Sequence, residues 1–272
     1  MFFRDFEDGS SVLGTQEDHA ELAAQFAAHW GNKEFAQLRP YDTMVFATAH
    51  HDSGFRSWEG CPPINMEKGR PYGFREAPFS PHRLEAHARN FEWIRARDPY
   101  AGLIVSIHHT GLLQNRYQTI TSPKTTTRSA PQRPEVQAFI AGQENLQREQ
   151  KKTLGSDDPK FDDVMWFNYR LLQIYDILSL YFCCDGYVGD GLKELLIAPV
   201  PVAYGSKEEV NLHIIPTGAK SVRMDPYPFD RSPLEVSVRA RVMASRSFAS
   251  EDECREAYFK APRTFLNFEI SN

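Results

Sequence analysis

Hydrophobic residues recur at helical spacing near the start of the chain. Between residues 15 and 30 a stripe with a period of about 3.6 residues takes in His19, Leu22, Ala23, Phe26 and Trp30. The segment is rich in Ala, Leu, Glu and Gln, which favour helices. Gly31 and Asn32 follow it, as is typical of a helix C-terminus. The pattern predicts an amphipathic helix over this segment.

Similar patterns predict further helices up to residue 184. Ser80 and Asp98 are each followed by proline, and this pairing favours a helix start because Ser and Asp are good N-caps and proline suits the first turn. The helix after Asp98, with the sequence YAGLIVSIHHTGLL, is nearly all apolar, so we expect it to be buried. The predicted helices cover residues 41–51, 81–97, 100–113, 135–152 and 161–184.

The pattern changes after Gly186. Runs in which apolar and polar residues alternate are separated there by turn residues, which is typical of antiparallel strands. These runs are EVNLHIIP, KSVRMDP, PLEVSVRARVM and RTFLNFEIS, and one short helix is expected near residues 251–260. The chain is therefore predicted to be an α+β protein. Residues 1–186 would form a mainly helical body, and residues 187–272 a small antiparallel β-rich region packed on it.

Composition and charge narrow the class of protein. The 272 residues suit one large domain or one domain with a smaller partner. A net charge of −5, with 41% hydrophobic and 25% charged residues, is typical of a soluble globular protein and offers no basic surplus for nucleic acid. No apolar run approaches the roughly 20 residues of a membrane span. The N-terminal sequence lacks the pattern of a signal peptide, so we expect a cytoplasmic protein.

Histidine and aspartate interrupt the apolar faces of several predicted helices. His19 lies on the first, His51 and Asp52 end the second, and His108 and Asp176 lie on two of the later ones. A lone histidine of this kind is more often an ordinary core residue. Asp176 is harder to explain, because no lysine or arginine stands one turn away and an unpaired buried carboxylate is costly. A divalent cation shared with imidazoles from other helices would satisfy all of these groups.

The order of these residues resembles a known metal-binding signature. A histidine, an adjacent His-Asp pair, further histidines and a late aspartate are characteristic of the HD-domain superfamily, which consists of helical metal-dependent phosphohydrolases. Four stretches, TAHHDSGFRSWEG, RPYGFREAPFSPHRLEAH, PYAGLIVSIHHTGL and LLQIYDILSL, are more closely similar to an uncharacterised bacterial family defined as a domain of unknown function. The resemblance covers nearly the whole chain and implies an HD-domain-like helical bundle. The glycine-tyrosine-proline signature of cyclic dinucleotide phosphodiesterases is missing, which argues against that activity.

The resemblance also implies roles for individual residues. The primary metal ligands would be His19, His51, Asp52 and Asp176. Asp52 would bridge two ions when two are present. Two further histidines match those of members with two ions, namely His82 and His108. His50 and His109 are assigned supporting or substrate-contacting roles, because neighbouring helical residues point about 100° apart and cannot both face one ion.

The implied activity is hydrolysis of a phosphate ester by a metal-activated water. One or two ions of Fe, Mn, Co, Ni or Mg would lower the pKa of the water and polarise the phosphoryl group. The catalytic candidates are Asp52, His109 as a proton donor to the leaving group, and Arg56, four residues after Asp52. The candidate substrate-binding cations are Arg75 in the Gly/Pro-rich loop 58–81, and Lys124 and Arg128 in the Thr/Ser-rich segment 119–134, which we expect to be a mobile lid.

The leading hypothesis is a metal-dependent phosphohydrolase that acts on a small phosphorylated metabolite or nucleotide. One alternative is a mixed-valent di-iron oxygenase of the HD-domain type, since imidazole and carboxylate accept iron as readily as manganese. The other is a non-catalytic binding protein with a structural metal. The expected partner is a small-molecule substrate, with no polymeric nucleic acid and no membrane. A homodimer is left open.

Overall fold

The computed structural model describes residues 1–114, 116, 133–155, 159–185, 192–244 and 246–272. The helices are α1 (Gln16–His29), α2 (Tyr41–His50), α3 (Arg56–Glu59), α4 (Pro81–Arg97), α5 (Pro99–Leu113), α6 (Pro134–Thr153), α7 (Phe161–Leu180) and α8 (Glu251–Lys260). The strands are β1 (Phe2–Asp5), β2 (Ser11–Gly14), β3 (Ile64–Asn65), β4 (Arg70–Pro71), β5 (Leu195–Pro201), β6 (Glu209–Gly218), β7 (Ser221–Asp225), β8 (Leu234–Met243) and β9 (Arg263–Ser271). Within the described ranges, no helix has the length and apolarity that a membrane crossing requires.

Three predicted helices begin within a residue or two of where the sequence places them, and the N-caps predicted at Ser80 and Asp98 are confirmed. Thr15 and Asp18 form a capping box at the start of α1, in which each side chain satisfies a backbone N–H group of the other residue. Ser80 caps α4 and Asp98 caps α5, and each is followed by proline in the first turn. These caps fix where α1, α4 and α5 begin, and therefore which turn of each helix its histidines occupy.

The β structure is larger than the sequence predicts. Strands from both ends of the chain form one seven-stranded sheet in the order β1-β2-β8-β9-β7-β6-β5. Its neighbouring strands are antiparallel except for β7 and β9, which are parallel. A separate small sheet pairs β3 with β4. The prediction of a mainly helical HD-domain-like bundle with a small antiparallel C-terminal β region is therefore wrong in the size, composition and pairing of the sheet.

The N-terminal strands account for much of this difference. β1 pairs with β2, and β2 pairs with the distant β8, so that Val12 lies opposite Val242. Each N-terminal strand has only four residues, and in β1 the charged Arg4 occupies a buried position. A strand of this length with a charge on its buried face shows little of the alternation that sequence analysis detects.

One hydrophobic core joins the helices to the sheet. Helix α1 packs against both α7 and β8. Phe26 of α1 contacts the rings of Phe182 and Phe229, and Trp30 contacts Tyr175 of α7. Burying one such side chain contributes about 1.5–3 kcal/mol. These contacts hold α1 against α7, and they set the positions of the histidine and aspartate that the two helices carry.

Candidate metal centre

Buried histidines and aspartates from several helices converge inside the helical layer. We call this group the His/Asp cluster. It consists of His19 from α1, His51 and Asp52 from the end of α2, His87 from α4, His108 and His109 from α5, and Asp176 from α7. All of them are buried, and His87 is the most exposed at 9%. The structure therefore brings together five residues for which the sequence predicts a metal-ligand role: His19, His51, Asp52, His108 and Asp176.

Three cluster residues form a first set of potential metal ligands. His19, His51 and Asp176 each offer a ligand atom, and these atoms lie within 4.8 Å of one another. Oδ1 of Asp176 is 3.6 Å from Nε2 of His51, and its Oδ2 is 3.9 Å from Nε2 of His108. Two atoms bound at about 2.1 Å to one tetrahedral ion are about 3.4 Å apart. The separations at Asp176 are therefore close to those of ligands around a shared ion.

Three other cluster residues form a second set of potential metal ligands. Asp52, His87 and His109 each offer a ligand atom, again within 4.8 Å of one another. The rings of His87 and His109 have centroids 4.0 Å apart, and Nε2 of His109 is 3.5 Å from Oδ1 of Asp52. Adjacent helical side chains point about 100° apart, and this divergence sends His108 toward α7 and His109 toward α4. The same divergence separates His51 from Asp52.

Asp52 connects the two sets. Its Oδ1 faces His109, whereas its Oδ2 lies 3.2 Å from Nε2 of His19 and accepts a hydrogen bond of 2.9 Å from Nε2 of Gln16. The carboxylate therefore has one oxygen directed at each set, as a bridging ligand requires. Gln16, in the first turn of α1, fixes its orientation.

Hydrogen bonds outside the cluster determine which nitrogen of two histidines is available. Nδ1 of His51 donates to the carbonyl oxygen of Thr48 at 2.7 Å, so Nε2 is the nitrogen that carries the lone pair when the ring is neutral. Ser179 donates its hydroxyl proton to the carbonyl oxygen of Asp176, so its oxygen accepts from Nδ1 of His19 at 2.9 Å. Nε2 of His19 is then directed at the Asp52 carboxylate. Partners of this kind orient imidazoles that bind metals.

Burial and neighbouring charges raise the pKa of one imidazole in the cluster and lower the pKa of two others. Burial favours a low pKa for His51, but the nearby carboxylates of Asp176 and Asp52 outweigh it and raise the pKa to about 9. Burial, together with neighbouring imidazoles, lowers the pKa of His108 to about 3 and holds the pKa of His87 well below its usual range. Although burial opposes it, the imidazoles of His109 and His19 beside the carboxylate keep the pKa of Asp52 well below its usual range. His87 and His108 are therefore neutral at physiological pH, as metal ligands must be.

Five predicted site residues are not part of the cluster as the structure describes it, namely His82, Arg56, Arg75, Lys124 and Arg128. His82 lies on the surface at the start of α4, with its side chain 71% exposed and paired with Glu85. Arg56, four residues after Asp52, is exposed and forms an ion pair with Glu17. Lys124 and Arg128 lie outside the described residues.

Arg75 is likewise exposed, with its guanidinium 5.4 Å from the ring centre of Phe74. His50, which the sequence assigns a supporting role, is half-buried and contacts Ser53 and the ring of Trp93. His109, predicted to act as a proton donor, instead lies among the potential ligands of the second set.

Sequence reasoning missed His87. The signal that could have identified it is its phase on α4, because it falls on the same buried stripe as Leu84, Phe91 and Ile94. His82 lies off that stripe and near the N-cap. On an amphipathic helix this periodicity separates a histidine that faces the core from one that faces solvent.

The comparisons with known proteins assign a family. The family described as "Protein of unknown function (DUF3891)" matches residues 1–245. The chain belongs to this family. The DUF3891 match includes every residue of the His/Asp cluster and strands β1 to β8, and it ends before α8 and β9. Searches of curated proteins and of solved structures found no match.

Proposed function

We propose that this protein is a metal-dependent hydrolase, and that it cleaves a phosphate ester of a small metabolite or nucleotide at the His/Asp cluster. The observation that supports this proposal is the position of Asp52, whose two oxygens face separate sets of imidazoles. Paired ions that share a carboxylate can hold both the attacking and the leaving oxygen of an in-line displacement.

Buried atoms without partners support the presence of a cation. Nε2 of His51 and Oδ1 of Asp52 are buried and make no hydrogen bond of normal geometry among the described residues, since their nearest polar neighbours are Asp176 at 3.6 Å and His109 at 3.5 Å. Nδ1 of His87 is also buried without a hydrogen bond among the described residues. Leaving such atoms unsatisfied costs about 1–3 kcal/mol each, and more for charged groups. A bound cation would satisfy all three.

The charge on the Asp52 carboxylate also supports a bound cation. No lysine or arginine forms an ion pair with Asp52 within the described part of the chain, where its partners are His19 and His109. Nε2 of His19 carries a lone pair when the ring is neutral, and it faces Oδ2 of Asp52 at 3.2 Å. Two acceptors at this distance repel each other unless a proton or a metal ion lies beside them.

The ligand chemistry narrows the choice of metal. Imidazole nitrogen is the main donor in the cluster, and carboxylate oxygen is the minor one. Mg²⁺ prefers oxygen ligands and retains its waters, whereas Fe, Mn, Co, Ni and Zn accept imidazole. Of the metals expected from the sequence, Fe, Mn, Co and Ni therefore fit this site better than Mg.

The chain's own residues would position the reactants. When bound, the ions would lower the pKa of a water and polarise the phosphoryl oxygens. Gln16 and Ser179 hold the side chains of Asp52 and His19 in fixed orientations. Arg56, on the turn of helix that follows Asp52, would leave Glu17 to contact the phosphate, because arginine binds phosphate through paired hydrogen bonds.

A second candidate function is oxidation of a substrate by a di-iron centre and oxygen. It is favoured by the excess of imidazole ligands and by the burial of the cluster, where Asp52 has no arginine or lysine partner among the described residues to hold a phosphate. Iron is well suited to such a ligand set.

The test is a metal-dependent activity screen on protein purified without a metal-affinity tag. Phosphate release from sugar phosphates, nucleotides and a chromogenic phosphomonoester would be followed with Mn, Co, Ni, Fe and Mg. We expect activity with a transition metal, and a fall in kcat of about 100-fold or more in Asp52→Asn, because several kcal/mol of transition-state stabilisation depend on the ions.

The matched control is Asp42→Asn, which changes an exposed aspartate at the start of α2. It should retain full activity. Iron in the purified protein, with oxygen consumption and no phosphate release, would favour the oxygenase. Equal phosphate release by Asp52→Asn and the wild type would rule out hydrolysis at this cluster.

A further inference from the structure

A crevice outside the His/Asp cluster is lined by arginines. It has a volume of about 320 Å³ and lies between the start of α1, helix α3, the end of α8 and strands β8 and β9. Arg56, Arg239, Arg241 and Arg263 contribute to its walls, and no cluster residue does. Pockets for small ligands commonly have volumes of about 300–1,000 Å³, so the crevice is large enough for one.

The carboxylates of the crevice already have cationic partners. The ion pairs are Arg56 with Glu17, Arg239 with Asp18, and the amino group of Met1 with Glu59. These pairs leave Arg241 and Arg263, neither of which forms an ion pair with a carboxylate in the described part of the chain. The crevice therefore carries two arginine charges that no carboxylate of the described residues pairs with.

The two arginines lie directly opposite each other on neighbouring strands. In the antiparallel register of β8 and β9, Arg241 is the partner of Arg263. Like charges at directly opposed positions destabilise an antiparallel pair. An anion between the two guanidinium groups would remove this repulsion.

Arg241 is held in place for such a role. Its Nη1 donates to the carbonyl oxygens of Phe259 and Ala261 at 3.0 and 2.9 Å, and its guanidinium lies 5.4 Å from the ring centre of Tyr258. Two of its five N–H donors make these bonds and the side chain of Tyr258 is a third hydrogen-bond partner, so the guanidinium keeps donors for a ligand. Arg263 is exposed on the opposite strand, and its guanidinium also carries five N–H donors.

We propose that this crevice is a second binding site, which takes a small phosphate-bearing anion between Arg241 and Arg263. Arginine suits this ligand because its planar guanidinium forms paired hydrogen bonds with phosphate oxygens. The proposal does not rest on the hydrolase function, because Arg241 and Arg263 lie outside the His/Asp cluster; Arg56, which has a role in the proposed hydrolysis, lines the crevice but is not one of the two arginines that hold the anion.

The experiment is calorimetric titration of the purified protein with pyrophosphate at constant ionic strength. The variants are Arg241→Gln, Arg263→Gln and the double substitution. The control is Arg223→Gln on β7 of the same sheet, which removes a surface arginine outside the crevice. We expect each crevice substitution to weaken binding by about tenfold or more, since a hydrogen bond to a charged group is lost. The control should bind as the wild type does.

Two further measurements distinguish this site from binding at the cluster. Asp52→Asn should still bind pyrophosphate, because Asp52 does not line the crevice. In buffer without phosphate, Arg263→Gln should raise Tm by relieving the repulsion, and pyrophosphate should raise Tm of the wild type but not of the double variant. The proposal is overturned if the wild type does not bind pyrophosphate, if the double variant binds it with unchanged affinity, or if Asp52→Asn alone abolishes binding.

Discussion

At the residue scale, the position of a histidine within its helical turn decides whether it can reach the cluster. His82 and His87 both lie on α4, yet His82 faces solvent beside Glu85 and His87 faces His109. The family resemblance selects His82, whereas helical periodicity selects His87. Sequence analysis could predict that His19, His51, Asp52, His108 and Asp176 come together, since each interrupts an apolar face. Their function as ligands remains a prediction.

Substitution of His87, but not of His82, should reduce the metal content. His87→Gln should reduce metal affinity by more than about tenfold, because changes even to the partners of ligands cost that much. His82→Gln should leave it unchanged. Elemental analysis of both variants, after identical purification without a metal-affinity tag, provides the measurement. If both variants lost the same amount of metal, or if neither lost any, the assignment of His87 would be contradicted.

The pKa of His51 gives the metal-free protein a defined pH dependence. A folded pKa of about 9, above the ordinary value of 6.5, means that the folded state binds the proton more tightly than the unfolded state does. The resulting stabilisation is fully present below pH 6.5 and is lost as the pH rises through about 9. The shift corresponds to about 3 kcal/mol in the free energy of unfolding.

Urea unfolding of chelator-treated protein between about pH 6 and pH 10 checks this dependence. His51→Gln should lack it. The metal-loaded protein should also lack it, because the ion replaces the proton on Nε2. A free energy of unfolding that falls equally in His51→Gln would assign the effect to another group.

At the element scale, the approach of α4 to the end of α2 places His87 in the cluster. The contact is made at Gly54, where an added Cβ would lie 2.1 Å from the carbonyl oxygen of Ala86 and 2.7 Å from Cβ of Asn90. Asn90 in turn donates from its amide to the carbonyl oxygens of His50 and His51. The sequence places Gly54 shortly after a predicted helix that ends at residue 51. It does not show that the glycine admits a second helix, because that neighbour is distant in the chain.

Gly54→Ala should therefore disturb the second set of ligands. The new methyl group meets backbone atoms and cannot be avoided by a rotamer change, so we expect a loss of about 1–3 kcal/mol in stability and lower metal content. Gly142→Ala on α6 is the control, because a Cβ added there would have no atom within 4 Å. It should gain up to about 1 kcal/mol from helix propensity. Thermal unfolding and elemental analysis measure both variants.

At the scale of the whole molecule, the sheet unites the two ends of the chain. Helices α1, α4, α5 and α8 could be located from caps and periodicity, because those signals are local. The order of strands in the sheet could not be predicted in this way, because β2 pairs with β8 and β7 lies parallel to β9. Both pairings join strands that are distant in the sequence. The N-terminal Phe2 is fully buried, with its ring against Gly14.

Phe2→Ala should consequently destabilise the protein by about 3–5 kcal/mol, because it empties a packed site in the sheet. Phe265→Ala, on the outer face of β9, is the matched control: its side chain is 61% exposed, and its removal should change stability by no more than about 0.5 kcal/mol. Denaturant unfolding compares them. Similar small losses for both would mean that β1 is not part of the core.

The most direct test of the metal centre is an anomalous-difference map from crystals of the tag-free protein. The structure predicts density for one or two transition-metal ions in the His/Asp cluster, about 2.0–2.2 Å from histidine nitrogens and carboxylate oxygens, with Asp52 contacting the density. An occupied metal site elsewhere, such as at His82, or a cluster that stays free of metal when the crystal is soaked in Mn, Fe, Co or Ni, would contradict the account.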